Sequence, residues 1–161
     1  MKMFKQIAAL TVGIMIVLGL NAIATAIDNP EVYEKPLPEP VPVAQLEIND
    51  HIDKMAKRYG LNPDVIKALI EEESGWGESA EGDNGQSVGL MQIQERWHKD
   101  RMKRLGVTSL YDPEQNITVG CDILSELLSK YGNYEDALSV YNSGNIYDGK
   151  QYAERVLNAA K

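Results

Sequence analysis

The stretch Asn62-Pro63-Asp64-Val65-Ile66-Lys67-Ala68-Leu69-Ile70-Glu71-Glu72-Glu73-Ser74-Gly75-Trp76 reads as one helix with both ends marked. Asn62 suits the N-cap. Pro63 suits the first helical position, where its missing N–H costs nothing, and Asp64 places a negative charge in the first turn. The helix should run to about Ser74 and yield to glycine. Ile66, Leu69, Ile70 and Glu73 fall at i, i+3, i+4 and i+7, so Glu73 shares the apolar stripe while Glu71 and Glu72 turn away. Burial disfavours a charged carboxyl, raises its pKa and leaves it a proton near neutral pH, which is what a general acid needs. The same spacing also fits a glutamate at a frayed helix end that points to solvent.

Upstream, Ile52, Met55, Ala56 and Tyr59 repeat the helical spacing, with Gly60 as a stop. After the central helix, Gly75, Gly77, Gly82, Gly85 and Gly89 mark a loop or short hairpin, and Gly89-Leu90-Met91-Gln92-Ile93 resumes an apolar pattern. Asp112 caps and Pro113 opens a helix through Ile117, Cys121, Leu124 and Leu128 that ends near Gly132. Asn133 caps another, with Ala137, Leu138, Val140 and Tyr141, stopping at Gly144, and a last amphipathic segment runs from Tyr152 through Val156 to Ala160. Strand signals are nearly absent, so the class is mainly α. Cys121 is the one cysteine. It reads as a small buried residue, and no intramolecular disulfide is possible.

The chain has 161 residues and 24 Asp and Glu against 16 Lys and Arg, a net charge of −8, which argues against a nucleic-acid binder. A hydrophobic content of 43% suffices for a core and excludes overall disorder. Eight Tyr and two Trp against one Phe favour flat partners such as sugars. Lys2 and Lys5, the uncharged run Ile7 to Leu20, and Ala24-Thr25-Ala26 have the layout of an export signal. Counted to Ile27, the same run approaches the roughly 20 residues of a membrane span. Residues 1–27 are therefore expected to be a signal peptide or an N-terminal membrane anchor, the only link to a membrane, and the rest of the chain to lie outside the cytoplasm. Residues 28–45 hold five of the seven prolines among acidic residues and read as a semi-rigid linker. Residues 46–161 are the folded domain. No metal, phosphate-loop or nucleotide motif occurs, so no cofactor is expected.

Four runs in order, Ile70-Glu71-Glu72-Glu73-Ser74-Gly75-Trp76, Gly89 to Ile93, Asp112 to Gly120, and Tyr141-Asn142-Ser143-Gly144, make residues 50 to 160 resemble the soluble lytic transglycosylase domain family. The resemblance implies a single lysozyme-like catalytic domain with a minimal β-hairpin, close to goose-type lysozyme. It also implies cleavage of the β-1,4 bond between N-acetylmuramic acid and N-acetylglucosamine in a peptidoglycan glycan strand, by a monomeric domain. Glu73 would be the single acid/base, and the muramic acid 6-hydroxyl would attack its own anomeric carbon to leave a 1,6-anhydro end. With the nucleophile supplied by the substrate, the second carboxylate of two-carboxylate glycosidases is not required. By the same resemblance, Ser74 would help hold substrate or Glu73, Met91 would lie against a sugar face and Gln92 would bind acetamido or hydroxyl groups. Tyr141 would point at Glu73 or at the developing oxocarbenium charge, Asn142 would bind a sugar and Tyr152 would line the cleft. Asp112, Pro113 and Asn116 are structural: N-cap, helix start and buried polar bracket.

Three departures from the family pattern stand out. The loop between Glu73 and Gly89 is about one residue longer and richer in acid; Asp83 within it offers a second carboxylate, which would make the enzyme a hydrolytic muramidase. Val140 replaces the usual alanine before Tyr141, a change expected to be tolerated. Arg96, Lys99, Arg101, Lys103 and Arg104 form a basic cluster, either a solvated helix face or a contact for anionic wall polymer or peptide-stem carboxylates. A non-catalytic peptidoglycan-binding module of an envelope-spanning machine is the further alternative.

Overall fold

A computed structural model describes residues 42–161; residues 1–27, expected above to be a signal peptide or anchor, and most of the expected linker lie outside the described residues. The described chain runs α1 (Val43–Tyr59), α2 (Pro63–Ser74), β1 (Glu81–Gly82), β2 (Ser87–Val88), α3 (Glu95–Leu105), α4 (Pro113–Tyr131), α5 (Tyr134–Ser143) and α6 (Lys150–Ala159). It is mainly helical with one minimal antiparallel hairpin, in register Glu81 to Val88 and Gly82 to Ser87. Helix α1 begins at Val43, so the last three residues assigned above to the linker are helical. Pro42 stands just outside, where its carbonyl still accepts the Leu46 N–H at 3.2 Å.

The capping residues do what their chemistry suggests. Asn62 Oδ1 accepts the Asp64 N–H at 2.9 Å, Asp112 Oδ1 that of Gln115 at 2.9 Å, and Asn133 Oδ1 that of Asp136 at 2.8 Å. Helix α2 ends at Gly75, which takes a left-handed φ of 55° and donates its N–H to Glu71.

Helix α4 lies at the centre of the packing, against α1, α3 and α5, while α6 closes on α2 and α5. Ile52, Ile66, Leu69, Ile70, Leu90, Ile117, Leu124, Leu138 and Val156 are fully buried where these helices meet. Each such side chain stabilises the fold by about 1.5–3 kcal/mol relative to exposure. Cys121 is buried with them, its thiol pushed up to about 12 by burial, which makes it an inert core residue.

Helix α3 is held differently. Of its residues only Met102 is buried, and the element is anchored by charge: Arg101 pairs with Asp122 and Glu126, and Arg104 pairs with Asp122 at 2.7 Å. The basic cluster thus divides, with Arg101 and Arg104 spent on the scaffold.

Candidate active site

The end of α2 delivers Glu73 into a cleft of about 510 Å³, whose walls also include Asp83, Gln92, Trp97, His98, Tyr141 and Asn142. The apolar stripe explains the placement, since Ile66, Leu69 and Ile70 are buried and fix the rotation of the helix. Glu72, turned away from the stripe, is drawn outward by Arg155 of α6 at 2.7 Å. Glu73 is half-buried and accepts one hydrogen bond, from the Tyr152 hydroxyl at 2.5 Å.

Burial raises the Glu73 pKa above its ordinary value; the Tyr152 hydrogen bond pulls it back, and the charges of Glu72 and Asp83 push it up again. The net direction is upward, as a proton donor requires. Burial and the adjacent Glu73 charge raise the pKa of Tyr152, and the same two causes raise that of Tyr141, so both phenols stay protonated as donors.

The other expected residues divide. Tyr152 is the phenol that reaches Glu73. The Tyr141 hydroxyl donates to the Met91 carbonyl at 2.9 Å, so its ring stands on the cleft wall while its proton faces the scaffold. The Ser74 hydroxyl lies 2.8 Å from the Leu90 carbonyl and 3.1 Å from that of Ile70, tying the end of α2 to the turn at 89–92 instead of touching the acid. Met91 corrects an expectation outright. It is fully buried, and a Cβ built on Gly120 would lie 2.3 Å from its sulfur, so the side chain is packed into α4 and has no face for a sugar. An apolar, unbranched residue in a turn pressed onto the central helix satisfies burial before anything else.

Gln92 does stand on the wall. Its φ is 47°, a strained value for a residue with a Cβ, and its amide donates to the carbonyls of Ala80 at 3.1 Å and Gly89 at 2.9 Å. Those bonds leave Oε1 directed at Gly82, where an added Cβ would lie 2.4 Å away. Asn142 is exposed and also lines the cleft. Beneath the turn, fully buried Asn116 accepts the Met91 N–H and donates to the carbonyls of Val88 and Leu110, all at 2.8 Å, the polar bracket expected of it. Among the described residues no group of three or more His, Cys, Asp or Glu side chains converges to hold a metal.

Sequence reasoning missed Gln94, Trp97 and His98, which lie along α3 and its approach and reach the cleft. A local signal existed only for Trp97, a large apolar residue in an otherwise charged run. Asp83 is brought to the cleft as the long acidic loop suggested, its Oδ2 accepting from Ser87 Oγ at 2.6 Å and Gln94 Nε2 at 2.9 Å.

The family model described as transglycosylase SLT domain matches residues 50–158. A transglycosylase of Enterobacteria phage PRD1 is 34% identical over 93 residues, a match covering 58% of this chain and 33% of the phage protein. The invasion protein IagB of Salmonella typhimurium is 32% identical over 94 residues, covering 55% and 58%. The chain therefore spans about a third to just over a half of these two relatives. Among solved structures, an inactive mutant of the lytic transglycosylase Slt from Pseudomonas aeruginosa has a TM-score of 0.61 at 25% identity, over 69% of this chain and 23% of that one. The mainly helical, lysozyme-like fold expected above is the fold the chain shares with this solved structure.

Proposed function

The chain belongs to the transglycosylase SLT domain family, and on that premise we propose that it is a peptidoglycan lytic transglycosylase with Glu73 as its single acid/base. The observation that carries this reading is one carboxyl, raised by burial and held by one phenol, at the wall of a cleft large enough for sugars. A protonated Glu73 gives its proton to the glycosidic oxygen as the muramic acid–glucosamine bond breaks. The resulting carboxylate, steadied by Tyr152, takes the proton of the muramic acid 6-hydroxyl as that oxygen attacks C1. Protons balance, and the enzyme returns to its starting state with a 1,6-anhydromuramic end as product.

A second reading has an observation of its own. Asp83 lines the same cleft, held in place by Ser87 and Gln94, and its charge acts on Glu73. If that carboxylate activates water, the product is a reducing sugar and the enzyme a muramidase. Mass spectrometry of digested peptidoglycan separates the two: anhydro-muropeptides support the lyase, and reducing muropeptides alone select the hydrolase. Glu73→Gln should abolish release of either. A folded wild-type protein that binds insoluble peptidoglycan and releases nothing would be the non-catalytic module.

The same proposal places the domain outside the cytoplasm as a monomer, delivered by residues 1–27 and spaced by the proline-rich linker. Sequencing of the mature N-terminus distinguishes removal after Ala26 from retention as an anchor, and light scattering tests the monomer.

A further inference from the structure

Gln94 is the hub of a polar network that ends on an exposed aromatic ring. Its Nε2 donates to Asp83 Oδ2 at 2.9 Å and lies 3.1 Å from Ser87 Oγ, which sets the orientation of the amide from the hairpin side. Its Oε1 then accepts three donors: Trp97 Nε1 at 3.1 Å, Arg96 Nε at 3.1 Å and Arg96 Nη2 at 2.8 Å. The guanidinium carbon of Arg96 stands 5.0 Å from the centre of the Trp97 ring. Trp97 remains 72% exposed and lines the same cleft as Glu73.

This arrangement is costly unless something uses it. An indole left in water forgoes the burial that most tryptophans obtain, and fixing an exposed side chain in one pose costs rotamer freedom. Arg96 has no carboxylate within ion-pairing range among the described residues, unlike Arg101 and Arg104. Its fork is steadied by a neutral amide oxygen, so its positive charge is positioned but not neutralised. An immobilised aromatic face suits the apolar face of a pyranose ring, and a pre-oriented guanidinium suits a carboxylate.

Resting on the lytic transglycosylase reading above, we propose that Trp97 and Arg96 form a substrate subsite at the cleft rim, in which the indole stacks on a sugar ring of the glycan strand and the guanidinium binds a carboxylate of the attached peptide stem. The subsite binds substrate and takes no part in the proton transfers.

The test uses the full chain on intact peptidoglycan and on glycan strands stripped of their stems by an amidase. Trp97→Ala should raise KM about tenfold on both substrates with kcat nearly unchanged, a change equivalent to about 1.4 kcal/mol. Trp97→Phe, which keeps a ring but loses the indole N–H, should recover most of that loss. Arg96→Ala should raise KM several-fold on intact peptidoglycan and hardly at all on stripped strands. Muropeptide added to the Glu73→Gln protein should change Trp97 fluorescence, read against the same titration of Glu73→Gln with Trp97→Phe. An unchanged KM in Trp97→Ala overturns the stacking assignment, and an Arg96→Ala effect equal on both substrates overturns the assignment to a stem carboxylate, because the amidase leaves the muramic acid lactyl carboxylate on the stripped strand. Failure of the wild type to cleave peptidoglycan is a different result, which removes the function reading itself. Thermal melting of each variant shows whether a loss reflects unfolding.

Discussion

Asn116→Leu offers a direct test of how the cleft wall is supported. The side chain is fully buried and makes three hydrogen bonds of 2.8 Å, to Met91 N–H and to the carbonyls of Val88 and Leu110. Leucine has a similar shape and fills the space. Val88 would keep a partner, because its carbonyl also accepts the Ile93 N–H at 3.0 Å. The Met91 N–H and the Leu110 carbonyl would be left buried and unpaired. Each orphan costs about 1–3 kcal/mol, so with partial recovery from the buried leucine the loss should be about 2–4 kcal/mol. At roughly 4 °C per kcal/mol for a domain of this size, the melting temperature should drop by about 8–16 °C. Asn116→Asp sharpens the point. It keeps the acceptor for Met91 but sets an oxygen against two carbonyls, so the folded state should resist ionisation and hold the carboxyl above its unfolded pKa. Stability then declines as pH rises through the folded value, and the Asp variant should be closer to wild type at pH 4 than at pH 7. Urea titrations at both pH values measure this. A leucine variant within about 0.5 kcal/mol of wild type, or an aspartate variant whose loss ignores pH, would refute the bracket.

Tyr152→Phe removes the hydrogen bond that holds the Glu73 pKa down, so the alkaline limb of the kcat/KM profile should move to higher pH as kcat falls; a limb that stays put or moves down contradicts the assignment. Glu73→Gln removes a carboxyl whose folded pKa is raised, a group whose contribution is favourable below its unfolded pKa and lost as pH rises through the folded one. The variant should therefore melt higher than wild type above neutral pH and lose that advantage in acid. Burial alone would raise the pKa of Asp122, but the Arg104 and Arg101 guanidiniums outweigh it and the net shift is downward. Its contribution is thus present above the ordinary 3.8 and is lost as pH falls through the lower folded value. Asp122→Ala should cost about 2–4 kcal/mol in urea unfolding at pH 7, less than a wholly orphaned buried Arg101 because Glu126 still binds it. Gly149→Ala would put a Cβ 2.3 Å from the Ser139 carbonyl oxygen, a backbone atom that cannot move aside without separating α5 from α6. A destabilisation of about 1–3 kcal/mol should follow, and a neutral effect would show that the helices slide freely.

What could be read from the chain, and what could not, follows from how each part is held. Helices α2, α4 and α5 carry both an apolar stripe and a capping residue, two local signals that agree, and these helices stand where the spacing put them. The position of Glu73 was legible for the same reason, since three buried residues on one face leave the fourth little choice. Helix α3 has one buried residue and is fixed by ion pairs to α4, so its anchor is a set of partners far away in sequence that no periodicity records. Trp97, Gln94 and His98 were missed with it. The motif residues show a third case. Ser74 and Met91 sit in the runs that carry the resemblance, yet their side chains brace the turn and fill the core, while Tyr141 contributes a ring to the wall and gives its proton to Met91. A shared motif marks residues that the site needs, without separating those that touch a ligand from those that hold the wall in place. Only the distribution of buried and open polar atoms makes that separation. Here it leaves Glu73, Gln92, Asn142, Asp83 and the Trp97 rim facing the cleft, with Tyr152 behind the acid.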